Sequence, residues 1–230
     1  MKLYEAAGDQ RRPYSNRPYS WRVIMALAHK GHSAERVGIP INDKEKLAFS
    51  GQTLMPVLVD GDVVVPDSWV IAGYLEEKYG NAPPLFGDLT ARSCARFIHM
   101  WGDQLQAGYL VPMLVYDAWH HAHPDDREYF RATREARLGC TLEETLEGRD
   151  EHLFRFRDNL EPLRAMLDKQ SFICGDTPAY ADYMAFSHFQ WARSISPYRL
   201  LEPYDPIFDW RERMLDLFDG LARNEPGYEV

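Results

Sequence analysis

The chain has no long apolar run, little cysteine and no excess of positive charge, and each shortage removes a class of function. Of its 230 residues 45% are hydrophobic and 27% charged, yet no apolar stretch approaches the roughly 20 residues that span a bilayer. The start lacks the charged-then-apolar order of a secretion signal. These absences point to a cytoplasmic protein without a membrane partner. Cys94, Cys140 and Cys174 are odd in number and widely spaced, which suggests neither a disulfide framework nor a zinc-ligand pair and reads as buried, reduced thiols. With 26 basic against 35 acidic residues and a net charge of −9, the dispersed lysines and arginines offer no clustered face for phosphate, so nucleic acid is not an expected partner. His120, His121 and His123 lie close in sequence, but neighbouring helical histidines point apart and no carboxylate or cysteine is spaced to complete a tetrahedral site. No metal is expected, with Asp117 or Asp125 at most a fortuitous surface ligand.

What the chain does have is a dense run of strand and turn signals at residues 54–69, LMPVLVDGDVVVPDSW. Val57-Leu58-Val59 and Val63-Val64-Val65 are strand formers around Asp60-Gly61, a dipeptide suited to a tight hairpin. Pro56 lacks an N–H and belongs at the strand entrance, where an X-Pro bond reaches the cis form cheaply and turns the Met55 backbone toward a ligand. Asp67 and Ser68 precede Val70, Ile71, Tyr74, Leu75 and Tyr79, which recur at helical spacing. The pair therefore reads as an N-cap and first turn whose free N–H groups suit an anion. Asp and Ser cap helices in many proteins; it is the ordered combination that suggests a surface holding a small anionic peptide by its backbone.

The chain divides near residue 82. Before it come a strand at residues 2–4, a helix at 18–30 opened by Pro18 and closed by Lys30-Gly31, a strand at 34–39, the hairpin, and a helix at 68–79. This βαβ-ββα order is a compact α/β unit. Asn81-Ala82-Pro83-Pro84 cannot continue a helix. Helical spacing then dominates at 91–108, 124–138, 151–169, 180–194 and 206–223, so the second half is all-α. The expected division is residues 1–81, a linker at 82–90, and a helical domain at 91–230.

PYSWRVIMALAHKG at 18–31, the segment 49–80 and FICGDTPAYADYMAFSHFQW at 172–191 resemble the cytosolic glutathione transferase superfamily over nearly the whole chain. They are most similar to its bacterial β-etherase-like branch, whose relatives include the fungal FuA class, while SWRV also resembles the zeta class. The resemblance implies a thioredoxin-like glutathione-binding domain with a cis-proline, a helical bundle lining the second-substrate site, glutathione as cosubstrate, and a homodimer. It also implies that Met55, beside Pro56, pairs its backbone with the cysteinyl part of glutathione. Asp67 and Ser68 hold the γ-glutamyl end, and Lys44 and Gln52 are the choices for the glycyl carboxylate. Asp182 in TPAYADY stands where the superfamily carries a helix-capping carboxylate; with Ala179 three residues earlier only half of a capping box survives, and this is a folding element.

Relatives commonly place a serine immediately before the proline that opens the first helix, and this chain has Arg17 there. Arg17 can stabilise a thiolate by charge, and Ser15 or Asn16 by one hydrogen bond, so Ser15, Asn16 and Arg17 are the catalytic candidates. Ser20 lies a turn further in, and Tyr14 and Tyr19 are read as packing. The absence of cysteine from this segment disfavours reduction through a mixed disulfide. Trp101, Tyr109, Met113 and Tyr116, with Trp119 beyond, form an aromatic and methionine stripe read as the pocket for an apolar or aromatic acceptor, with Gln190, Trp191 and Arg193 approaching from a later helix. The expected function is a glutathione transferase attacking an apolar or aromatic electrophile, in its sharpest form by β-aryl ether cleavage within aromatic compound metabolism. The alternatives are a glutathione-dependent isomerase and a non-catalytic carrier of aromatic ligands.

Overall fold

The computed structural model describes residues 1–13 and 17–230. The first half contains β1 (Lys2–Ala6), α1 (Pro18–His29), β2 (Glu35–Ile39), a 3-10 segment (Lys44–Ser50), β3 (Val57–Asp60), β4 (Val63–Pro66) and α2 (Ser68–Lys78). The sheet order is β2-β1-β3-β4. β1 runs parallel to β2 and antiparallel to β3, and β3 to β4 is antiparallel. This is the thioredoxin-like βαβ-ββα arrangement read from the sequence. The hairpin differs in one detail: Asp60 pairs with Val63, so the two-residue turn is Gly61-Asp62, with Gly61 at φ +62. Glycine takes that conformation without a Cβ penalty. Asp60 is thereby left to accept hydrogen bonds from the Tyr74 and Tyr79 hydroxyls and the Lys78 ammonium.

The second half is helical: α3 (Leu89–Leu105), one π turn (Gln106–Leu110), α4 (Val111–His120), α5 (Arg127–Leu138), α6 (Arg149–Asn159), α7 (Glu161–Leu167), α8 (Tyr180–Ile195) and α9 (Pro206–Gly220). The sequence pattern did not mark α4. The expected helix at 151–169 is two, because Pro162 lies at the start of a new helix after the break at Leu160. α9 loses helical geometry at Leu217, Phe218 and Asp219. The three thiols are free, but Cys94 and Cys174 are exposed and Cys140 half-buried, so they are not the core residues expected. Among the described residues, no helix is long and apolar enough to cross a membrane.

The two halves are locked by polar as well as apolar contacts. α8 is buried on nearly every face, the pattern of a central core helix. Arg22 of α1, fully buried, reaches Asp103 at 2.6 Å, the Ser187 hydroxyl at 3.2 Å and His188 Nε2 at 3.1 Å. Gly102 allows this crowding, since a Cβ there would stand 2.8 Å from His188 Nε2. Nearer the linker, Lys30 pairs with Glu76 at 2.6 Å and donates to the Pro83 carbonyl, while Glu76 accepts from the Leu85 and Phe86 amides. Asp182 accepts from the amides of Ala179, Ile173 and Cys174 and from Trp210 Nε1, which makes it the folding element the sequence suggested.

Candidate active site

The Met55-Pro56 peptide is cis. It opens onto a cavity of about 370 Å³ whose walls include Lys44, Gln52, Met55, Pro56, Asp67 and Ser68. All six residues named for glutathione thus converge on one space. Their local geometry follows from the hairpin and helix start. Asp67 has φ +69 and ψ 132, a sparsely populated conformation that costs a non-glycine residue on the order of 1–3 kcal/mol. Its Oδ1 offsets part of this by accepting from the Trp69 and Val70 amides at 2.9 and 3.1 Å. Ser68 is buried, and its carbonyl accepts the Tyr180 hydroxyl at 2.8 Å. α8 therefore braces the start of α2 from behind. Gln52 donates Nε2 to the Leu54 carbonyl at 3.1 Å, which fixes the loop entering Met55.

A second cavity of about 130 Å³ lies between the halves, lined by α1, α3, α4, α5 and α8. Arg17, Tyr19 and Arg134 border both spaces. Arg17 is the extended residue preceding α1, with no side-chain cap to that helix. Burial pulls its pKa down, an effect partly opposed by Tyr19 and Tyr129; a guanidinium remains charged under such a change. Burial pushes the Tyr19 phenol up, Asp103 adding to it and Arg22 opposing, so it stays a protonated donor at neutral pH. The Arg22 guanidinium lies 4.6 Å from the Tyr19 ring centre. Ser15 and Asn16 lie outside the described residues, so of the three catalytic candidates Arg17 alone can be placed.

The residues named for the second-substrate pocket are not the ones that line this cavity. α4 presents Val111, Val115 and Ala118 to it, a stripe at intervals of four and three. Met113 is on another face and fully buried in the core, while Tyr116 packs on Trp119 and His120. Trp101 lines a small interior void with Leu105 and Phe156, and the Tyr109 hydroxyl accepts from Asn159. Of the α4 members of that stripe, Met113 alone is fully buried, while Tyr116 and Trp119 stay partly exposed on a face away from this cavity. Trp191 does line the cavity, but Gln190 and Arg193 bond to the Ala222 carbonyl instead.

The sequence reading passed over Phe130, Arg134, Arg137 and Leu138, all lining the cavity from α5. Their spacing of four, three and one puts them on one helical face, a signal present in FRATREARL but hidden by its high charge. Also not anticipated were Ile41, Thr53 and Tyr129 on the first cavity and Asp103, Gln106 and Ala107 on the second. Gln106 and Ala107 sit in the π turn, a distortion that proteins often place at functional sites. Among the described residues, no group of three or more His, Cys, Asp or Glu is arranged to hold a metal ion. His121 instead contacts Asp9 at 2.8 Å and the Tyr228 hydroxyl at 3.0 Å.

This is a thioredoxin-like domain whose cis-proline loop opens on a cleft closed by a helical domain. The chain belongs to the glutathione S-transferase family: the family's N-terminal domain matches residues 14–83 and its C-terminal domain residues 94–200. It is 42% identical over 79 residues to glutathione S-transferase Z1 of Arabidopsis thaliana, an alignment covering 31% of this chain and 35% of that protein. The chain thus spans about a third of the length of such curated plant relatives. It is also 26% identical over 181 residues to the dichloromethane dehalogenase of Methylorubrum extorquens, covering 74% and 56% of the two chains. Among solved structures, glutathione transferase GSTFuA3 from Phanerochaete chrysosporium superposes with a TM-score of 0.73 at 26% identity, covering 95% of this chain and 91% of that one. A Ceriporiopsis subvermispora glutathione S-transferase in complex with glutathione gives 0.72 at 20%, covering 96% and 92%.

Proposed function

We propose that this protein is a glutathione transferase in which Arg17 stabilises the thiolate of bound glutathione for attack on an electrophilic carbon. The observation that carries the reading is that Arg17 borders both cavities. With the tripeptide in the larger space, its backbone at Met55, its γ-glutamyl end at Asp67 and Ser68 and its glycyl end near Lys44 and Gln52, the sulfur meets the smaller space beside Arg17 and Tyr19. A free thiol ionises near 8.5. Lowering that by about two units takes roughly 2.7 kcal/mol, within reach of one charge-assisted contact of about 1.5 to 3 kcal/mol. The protonated Tyr19 hydroxyl is a second donor at the same junction. The thiolate's lone pair forms the new S–C bond while the leaving group departs with the electrons of its own bond, and the thiol proton passes to solvent. The dehalogenase relative, by its name, removes a halogen, which supports displacement at carbon.

Absorbance of glutathione thiolate near 240 nm, followed against pH with the protein present, tests this. The bound thiol is expected to ionise near 6.5, and Arg17→Ala to raise that value by about one to two units. An unshifted thiol in the wild-type complex overturns the reading and favours a non-catalytic carrier. β-Aryl ether cleavage, in which sulfur displaces a phenolate, is the finer version, prompted by the sequence resemblance to the β-etherase-like branch. Phenol release from a panel of aryl ethers checks it, and no release from any member sinks it. Turnover of a cis-olefinic substrate to its trans isomer without net glutathione consumption would establish the isomerase alternative. The homodimer is checked by sedimentation at micromolar concentration, where a single monomer boundary refutes it.

A further inference from the structure

Apolar side chains such as Val111, Val115 and Phe130 form part of the smaller cavity's wall, and three guanidiniums, of Arg17, Arg134 and Arg137, border it as well. Several other arginines of this acidic chain have carboxylate partners, among them Arg131 with Glu135 and Glu143, Arg149 with Asp117, and Arg164 with Asp205. Among the described residues, none of the three has one within ion-pair distance. Arg134 is held by the Thr133 hydroxyl at 2.7 Å and by the Phe130 ring, 4.4 Å from its centre. Burial, then the charges of Arg17 and Arg137, push Arg134 down to about 10, the effect of like charges gathered in a half-dry site. Asp103 borders the same cavity but is already taken by Arg22 at 2.6 Å and His99 at 3.0 Å.

A second observation is independent of charge. Trp191 and Gln106 both line this cavity and are more than nine-tenths buried; the Trp191 Nε1 donor and the Gln106 Oε1 acceptor lack a hydrogen-bond partner among the described residues. Buried polar groups are ordinarily satisfied, and an indole N–H only donates. A cavity whose wall combines apolar side chains, cations without carboxylate partners and a buried unpaired donor is complementary to an apolar molecule bearing an acceptor of negative charge.

We propose that the electrophile carries a carboxylate on an apolar or aromatic frame, bound in the smaller cavity by Arg134 and by Arg137 at its solvent-exposed mouth, with the Trp191 N–H as a further donor. This rests on the transferase reading and narrows its substrate class. Arg134 also borders the larger cavity, but Arg137 and Trp191 border only the smaller one, which separates this anion site from the glutathione carboxylates. With a halide as leaving group, the thiolate pair forms the S–C bond, chloride leaves with the C–Cl pair, and the carboxylate is unchanged.

The test compares 4-chloro-3,5-dinitrobenzoate with the neutral 4-chloro-3,5-dinitrobenzamide as partners of glutathione, each rate divided by its uncatalysed rate. The wild type is expected to favour the benzoate in kcat/KM by at least about tenfold, a typical worth of a charge-assisted contact. Arg134→Gln and Arg137→Gln should each cut that preference severalfold, and Arg137→Lys should keep part of it. Equal handling of the two compounds, or a preference untouched in both Gln variants, overturns the proposal. So does a parallel loss of glutathione affinity, which would assign the arginines to the tripeptide. If neither compound is turned over, calorimetry with 3,5-dinitrobenzoate and its amide decides separately. Tighter, arginine-dependent binding of the benzoate sustains the anion site while the transferase reading falls; equal affinity overturns the site itself.

Discussion

The two cavities that meet at Arg17 are assembled in different ways. The larger draws most of its named residues from one continuous stretch, with Gln52, Met55, Pro56, Asp67 and Ser68 inside 17 consecutive positions of the sequence. The smaller takes side chains from α1, α3, α4, α5 and α8, spread from Arg17 to Trp191. One is a local motif held by a hairpin and a helix start. The other exists only when the halves are docked, so its shape depends on buried contacts such as Arg22 with Asp103. Glutathione binding and electrophile binding should therefore respond differently to the same perturbations.

The largest separation is expected from Arg22→Ala. It leaves the Asp103 carboxylate without its guanidinium and empties a fully buried site. Removing one member of a buried pair costs about 3–5 kcal/mol. Urea unfolding should show that loss, and electrophile turnover should fall further than glutathione affinity. A loss below about 1 kcal/mol would mean that the docking does not depend on this network.

Acid should act on the same seam. Burial, with the neighbouring Arg22 charge, pushes His188 down to about 3, against about 6.5 for a free imidazole. Between those values the unfolded chain binds the proton and the folded one does not, so stability falls as pH is lowered through that window. For this residue the loss is about 2–3 kcal/mol from pH 7 to pH 4.5. Burial also acts to raise Asp103, but hydrogen bonds from His99 and Arg22 and the Arg22 charge outweigh it and hold the group well below the usual carboxylate range. Its contribution is present above the ordinary carboxylate value near 4 and is lost on further acidification. Denaturant midpoints measured from pH 7 to 4 in wild type and His188→Gln check the window: the variant should show a shallower decline above pH 4. Parallel curves would remove His188 from this account.

The same contrast explains what the sequence revealed. Pro56, the hairpin valines and Asp67-Ser68 act through backbone rules that operate over a few residues, so they were legible together with the thioredoxin-like order. The smaller cavity was not. Met113 and Tyr116 have the composition of a pocket, but which stripe of α4 faces the cleft is decided by its docking on neighbouring helices. Arg134 and Arg137 look like a solvated helix face until α5 is placed opposite α1. Pro162 also shows that an apolar period can run through a break between helices unless the proline is given precedence.

Asp67→Ala probes the local motif alone. It removes the acceptor for the Trp69 and Val70 amides while retaining a side chain at positive φ. Loss of such a cap costs about 0.5–2 kcal/mol. Stability should fall by that amount and glutathione affinity should weaken, whereas Asp67→Asn, which keeps an acceptor and tolerates positive φ better than most residues, should recover most of the stability. If it recovers glutathione affinity as well, the charge of Asp67 is not needed for the γ-glutamyl end.

The smallest effect is the sharpest test of separateness. Ala107 lies in the π turn, is exposed, and borders only the smaller cavity. Ala107→Leu adds volume at the cleft wall without displacing a buried neighbour, so its stability change should stay within about 0.5 kcal/mol. If the two spaces are independent up to Arg17, KM for a bulky apolar electrophile should rise severalfold while glutathione affinity changes by less than about twofold, an amount near 0.4 kcal/mol. A matching loss of glutathione affinity would mean that the cleft wall sets the position of Arg17 itself, and the two cavities would then have to be treated as a single site.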